Sequence, residues 1–502
     1  MSETIPSALA SAHHADTQSS IVTRSEVAPS DPNGPTGMLA TWLAQTKLSD
    51  IPVEVVQRAK HLLLDGVACL MVGSHLPWSV LAVEAIMEFD RGGQHRIAGW
   101  GGLRSGAFNA ALLNSSFIQG FELDDYFPAA PLHSNAILLP ACLPVVEIMP
   151  SVSGADFLRS LILGYETGTR VGLSLHGPEM LSRGWHSGVV FGGPAAAAAA
   201  GSLMQLTAAQ LEDALGIAST QACGLMSAQY ESMVKRMQHG FAARNGLLAA
   251  SLASRGYIGI KKVFEREYGG FLQVFGEGHN PDPTRLTEDL GRRWITCEIA
   301  IKPYAAMAGL HAAIDASLLI RESRIKAAGQ LTSGEIIEIL IEVSEAAYAH
   351  GGFPVQYPIE PITAQMSLRY STAVSLLDGS ALVQQFSNHR INSEDVWDLI
   401  PKITIRHAKE FDEDKHSTYK TRVTVQFKEG VIEQRFVETP LGGDRMPLSN
   451  AAVVKRFNDL TSNVIGAAEA AKLETFILSI EQQRTLEPLL PLLSTTAKCA
   501  LQ

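Results

Sequence analysis

Apolar residues recur at helical spacing along most of this chain and switch to a two-residue alternation only in its last third. That change of rhythm predicts the architecture. The segment after Ile51 predicts a buried helix that opens with Pro52 in its first turn and closes near Gly73, with Val56, Leu63, Val67 and Leu70 at helical spacing. Further helices are predicted over Pro77–Phe89, 105–121 and 154–171, with a short strand over 96–100. Thr207-Ala-Ala-Gln210 has the capping-box form ahead of an apolar run and fixes a helix start. No sustained alternation occurs through Gly256, so this part reads as all-helical.

After about Thr296 the period changes. Ile337, Ile339, Ile341 and Val343 alternate with more polar positions, as do Ile403 and Ile405, and 423–427 with 431–437 reads as a hairpin turning at 428–430. Helical segments lie between them around 308–321, 364–377 and 393–399, which gives an α+β grammar. From Ser449 to about Leu493 the helical period returns. Periodicity alone does not decide whether these last helices rejoin the first domain. There is no internal repeat, and Gly192-Gly193-Pro194 has neither the dinucleotide nor the phosphate-loop spacing.

Composition narrows the function classes. A chain of 502 residues, 46% of them hydrophobic, has ample material for a large core. Its net charge of -11 argues against a nucleic-acid binder, so locally clustered cations point to a particular anionic ligand. Cys69, Cys142, Cys223, Cys297 and Cys499 are scattered, which fits a reducing compartment and gives no zinc or iron-sulfur spacing. No apolar run free of charge or glycine is long enough to span a bilayer, so a soluble protein without membrane partners is expected. Residues 1–37 lack both the apolar region of a secretory signal and the Arg-rich, acid-poor character of a transit peptide, and read as a disordered tail. Cytoplasm is the default location, with a mitochondrial one left open.

Four clusters carry candidate chemistry. The stretch 229–246 gathers Lys235, Arg236, His239 and Arg244 between alanine-rich segments; if helical, it places Lys235 and His239 on one face. It reads either as a helix end reaching to water or as a pocket for a carboxylate-bearing molecule. Glu122-Leu-Asp-Asp-Tyr126, followed by His133, supplies carboxylates and an imidazole for acid-base work, or is a solvated acidic loop. His186 stands between glycines near a helix start, where backbone N–H groups hold anions. Lys302, in Ile-Lys-Pro-Tyr304 with His311 further on, lies at the join of the two grammars, where a cleft between domains falls. No nucleophile elbow occurs.

Taken in order, ELDDY (122–126), PLHS (131–134), GWH (184–186), TQACGLMSAQY (220–230) running into MVKRMQHGFAARNGLL, YGGFL (268–272), IKPYAAMAGLH (301–311) and AQMS (364–367) resemble the MmgE/PrpD family, which includes 2-methylcitrate dehydratase and cis-aconitate decarboxylase. The resemblance runs from Gly37 to about Leu493 and is greatest to the fungal decarboxylases of the family. It implies a mainly α protein with an inserted α+β domain: a helical domain from 38–297 and 445–495, and an α+β lid from 298–444. It also implies a homodimer, no metal and no organic cofactor. Carried onto this chain, the family's site falls on Asp124, Asp125, His133 and His186 for proton handling and on Lys235 and Lys302 for substrate binding. His239, four residues from Lys235, and Tyr304, two from Lys302, complete the binding set. One departure is that relatives carry cysteines, or in mammalian-type decarboxylases a histidine, where this chain reads Tyr304-Ala-Ala-Met307.

The implied reaction is decarboxylation of cis-aconitate, a small tricarboxylate, to itaconate and carbon dioxide. Lysines would pair with the carboxylates that stay, and His133 or His186 would deliver the proton with Asp124 or Asp125 orienting it. Dehydration of a 2-methylcitrate-like or longer alkylcitrate acid needs the same clamps and is the second reading; a carboxylate-binding or scaffold protein is the third.

Overall fold

The structure is a computed structural model and describes residues 27–502, apart from 91, 230, 231, 414–418 and 444. The expected tail lies mostly outside the described residues, but its last part does not. Helix α1 (Pro35–Gln45) begins before Gly37, and Ser30 donates to the Glu212 carboxylate, so the boundary expected at 37 falls inside an ordered element. The chain then forms α2 (Val53–Gly73), α3 (Pro77–Phe89), the two-residue strands β1 (His95–Arg96) and β2 (Arg104–Ser105), α4 (Ala107–Ile118), α5 (Asn135–Ile148), α6 (Gly154–Ser174), α7 (Gly177–Ser182), α8 (Ser187–Leu203), α9 (Ala208–Ser219) and α10 (Gln238–Ser254). The capping box at Thr207 and Gln210 is formed as predicted. The strand expected at 96–100 shrinks to the edge of a two-stranded ribbon.

Helix α8 is apolar on every side and buried along its whole length, which is what a central helix requires. Its neighbours approach closely because small residues face it. Gly164 and Gly168 on α6 lie four apart, and a Cβ there would stand only 2.9 and 2.8 Å from the methyls of Ala199 and Ala195 on α8. Gly246 on α10 meets Ala196 in the same way. Packed helices leave no room for larger side chains at such points. Helices α5, α8 and α10 touch one another pairwise, and this mutual packing brings their N-terminal ends together.

Beyond α11 (Phe271–Phe275), α12 (His311–Ala328) lies across a four-stranded sheet of order β4-β3-β5-β6, formed by β3 (Ile336–Val343), β4 (Ile403–His407), β5 (Thr421–Phe427) and β6 (Ile432–Val437). Strands β3 and β4 are parallel, and the crossover between them carries α13 (Glu345–Gly351), α14 (Pro361–Gln365), α15 (Leu368–Asp378), α16 (Asn388–Ile391) and α17 (Glu394–Leu399). The other pairs are antiparallel, with β5–β6 the expected hairpin. One detail of the alternation fails: Ile337 is exposed, because the register shifts between Ile336 and Glu338 and it is Ile336 that turns inward. The segment 364–377 likewise divides, since Ser367 caps a new helix rather than continuing the old one.

The chain ends with α18 (Asn450–Ile465), α19 (Ala467–Leu478) and α20 (Leu489–Leu493). Helix α18 packs on α2, so the last helices meet the first long one.

Candidate active site

Three of the predicted loci are helix starts. His133 lies two residues before α5, His186 immediately precedes α8, and Lys235 and Arg236 lie in a 3-10 turn (Met233–Arg236) just ahead of α10. Because these helices pack together, their first turns converge, and unpaired N–H groups there favour an anion. The helix assumed to join Lys235 and His239 does not exist as one piece. Met237 separates the 3-10 turn from α10, yet both residues still turn inward.

His133, His186, Lys235 and Lys302 line one cavity of about 160 Å³. A larger groove of about 310 Å³ between α18 and residues 380–385 contains none of them, so size does not locate the chemistry. Met226, Met307 and Met366 supply apolar lining to the cavity, and Tyr419 and His350 from the α+β part also line it. Met307 therefore stands at the cavity in the segment where this chain departs from the pattern of the family it resembles.

The electrostatic centre is Glu122, which sequence reasoning named without a role. Its backbone is left-handed, with φ of 54°, a conformation that a non-glycine residue holds only when its surroundings enforce it. Its carboxylate accepts from Lys235, from Arg236 Nη1 at 2.9 Å and from Lys302 Nζ at 3.1 Å. Burial alone would raise its pKa, but Lys235, Lys302 and Arg236 outweigh burial and hold it well below the usual carboxylate range. Arg236 is fixed further by Gln365, whose Oε1 it reaches at 2.7 Å and whose amide nitrogen donates to Phe121 O and Ala305 O. Neither Glu122 nor Gln365 carries a spacing signal that would have marked it in the sequence.

Asp124 is fully buried, 3.0 Å from His133 Nδ1 and 3.5 Å from Lys302 Nζ. Against burial, His133 and Lys302 keep it ionised. Asp125 behaves in the opposite way. Burial and the neighbouring Asp124 push its pKa well above the usual range, and its Oδ1 accepts only the Asn135 N–H at 3.0 Å. Of the two aspartates that the sequence left open, Asp124 therefore stands beside the His133 imidazole, while Asp125 holds the Asn135 N–H at the start of α5.

Burial, with Lys235 and His133 beside it, lowers His186 to about 3, so it is a neutral imidazole. His239 does not reach the cavity lining. It lies behind both histidines, with ring centroids 5.0 Å from each, and burial holds it neutral as well. It fits there only because residue 188 is glycine: an added Cβ would overlap His239 Nε2. Tyr304 is also absent from the lining, and its hydroxyl donates to Asp315 instead. Two of the four expected binding residues thus support the site rather than line it.

Three cations, Lys235, Arg236 and Lys302, face two ionised carboxylates, Glu122 and Asp124, and leave one net positive charge in a largely water-excluded crevice. Lysine carries three donors, so both lysines retain capacity for an incoming carboxylate.

Known proteins resemble this chain along nearly all of its length. The chain matches the model of the MmgE/PrpD N-terminal domain over residues 37–284 and that of the MmgE/PrpD C-terminal domain over 304–482. It is 44% identical over 480 residues to the cis-aconitate decarboxylase-like protein oryM of Aspergillus oryzae, covering 93% of this chain and 99% of that one. It is 41% identical over 480 residues to the cis-aconitate decarboxylase of Aspergillus terreus, covering 93% and 98%. To the human cis-aconitate decarboxylase it is 25% identical over 452 residues, covering 89% and 92%. Matched along both halves of its length, the chain belongs to the MmgE/PrpD family.

Proposed function

We propose that this protein is a carbon-carbon lyase that decarboxylates cis-aconitate to itaconate and carbon dioxide. The observation that carries this reading is the convergence of Lys235, Lys302, His133 and His186 on one cavity that Met226, Met307 and Met366 also line. The near full-length similarity to decarboxylases supports it.

In this reading Lys235 and Lys302 hold the two carboxylates that remain, offsetting their mutual repulsion. The third faces Met226, Met307 and Met366, where a charge is poorly solvated and its loss as carbon dioxide is favoured. The electron pair of the broken carbon-carbon bond passes into the alkene system, and a proton arrives at carbon. His133 is the donor: its Nδ1 lies 3.0 Å from the Asp124 carboxylate, which orients the ring and leaves Nε2 for the substrate. His186, neutral, contributes a hydrogen-bonding ring rather than an acid.

The domain division into 38–297 with 445–495 and 298–444, a homodimeric state and a cytoplasmic location, with a mitochondrial one as the alternative, belong to the same proposal. The packing of α18 on α2 supports the first, and family membership the second. Purified protein is incubated with cis-aconitate and, separately, with 2-methylcitrate, following carbon dioxide and ultraviolet absorbance. Carbon dioxide from cis-aconitate alone is expected; dehydration of 2-methylcitrate without carbon dioxide would replace the decarboxylase with a hydro-lyase.

A further inference from the structure

Support for the crevice also comes from the far end of the chain. Arg456 projects from α18 into the interior and is 8% exposed. Its Nη1 pairs with Asp65 of α2, and its Nη2 donates to the Leu123 carbonyl at 2.8 Å. Leu123 stands between Glu122, which gathers the three cations, and Asp124, which faces His133.

This loop needs an external hold. Glu122 is in a left-handed conformation that costs about 1–3 kcal/mol for a non-glycine residue, so its geometry persists only where neighbours fix it. Asp65 is fully buried within the electrostatic reach of Arg456, Asp124, Arg58 and Lys302, and Arg456 is the guanidinium paired directly with it. A guanidinium presents donors in a rigid fork, which lets one head group serve a carboxylate and a carbonyl at once.

We propose that Arg456 is a positioning residue for the reaction: from the C-terminal helix it clamps the Leu123 carbonyl against α2 and so sets the placement of Glu122 and Asp124. It touches neither substrate nor the reacting atoms. Its effect passes through the carboxylate that arranges the lysines and the carboxylate that orients His133. The C-terminal helices are then part of the active-site support rather than a separate appendage. This inference rests on the decarboxylase reading.

The test uses the full-length enzyme with Arg456→Lys and Arg456→Met, following carbon dioxide from cis-aconitate and thermal unfolding. Lysine keeps the charge against Asp65 but carries all its donors on one nitrogen, without the fork that spans both the carboxylate and the Leu123 carbonyl, so it separates ion pairing from positioning. Arg456→Lys is expected to unfold near the wild-type temperature yet lose about tenfold in kcat, and Arg456→Met to lose roughly 10²-fold, with KM moving much less than kcat. If the methionine variant does not fold, the lysine variant decides alone. Arg456→Lys with kcat within about threefold of wild type would overturn the proposal, as would a rise in KM larger than the fall in kcat. A wild-type enzyme inert toward cis-aconitate would instead overturn the functional reading beneath it.

Discussion

His133 Nδ1 lies 3.0 Å from Asp124 Oδ2, and Asp124 in turn lies 3.5 Å from Lys302 Nζ. The aspartate thus links the His133 imidazole to the Lys302 ammonium. Asp124→Asn keeps the shape and removes the carboxylate charge that orients the His133 ring. A loss in kcat of roughly 10²-fold or more is expected. His133→Asn should lose at least as much, and the double variant should be little worse than His133→Asn, because the two groups act as a unit. Steady-state kcat for the three variants checks this.

Glu122 neutralises three buried cations. Glu122→Gln leaves Lys235, Arg236 and Lys302 facing one another, which is expected to destabilise the fold by about 3–5 kcal/mol. A tricarboxylate should restore part of that loss by taking the place of the missing charge. Thermal unfolding with and without citrate is the measurement, and the gain from citrate should be larger for the variant than for wild type.

Lys235 is lowered by burial, which Glu122 only partly offsets, so a second carboxylate beside it is favourable. Lys235→Ala removes a charge-assisted contact worth about 1.5–3 kcal/mol. The expected loss in kcat/KM for cis-aconitate is roughly 10- to 150-fold, with secondary structure unchanged by circular dichroism.

Asp125 gives a pH prediction of definite sign. Its folded pKa is raised above the unfolded value by burial and by Asp124, so the stability it contributes is fully present below the unfolded pKa, near 4, and is lost as pH rises toward the folded value. Asp125→Asn mimics the neutral acid without that penalty. The variant should gain Tm relative to wild type between pH 4 and pH 8, whereas a constant difference across that range would count against a neutral Asp125. Glu122 has the opposite sign: its folded pKa is depressed, so its contribution is present at neutral pH and declines as pH falls below about 4.

Much of this was legible in the residues. The helix at Val53–Gly73, the capping box at Thr207 and the β5–β6 hairpin follow from local pattern, and the four lining residues were named from their segments. What periodicity could not show was tertiary. Asp124 and Asp125 are adjacent, and only the fold turns one toward His133 and the other toward Asn135. Tyr304 follows Lys302 by two residues, yet it faces Asp315 rather than the cavity. Glu122, Gln365 and Arg456 act through contacts spanning more than a hundred residues, which no local spacing encodes. The bulge that exposes Ile337 is likewise set by pairing with β5 rather than by β3 itself.

The central claim is that Lys235 and Lys302 hold a polyacid while His133 faces its reacting carbon. Its most direct test is a crystal structure of the enzyme with a slow or unreactive tricarboxylate bound. The account predicts one carboxylate within hydrogen-bond distance of each lysine and a third against Met226, Met307 and Met366. Ligand bound elsewhere, or bound with both lysines still engaged only by Glu122 and Asp124, would contradict it.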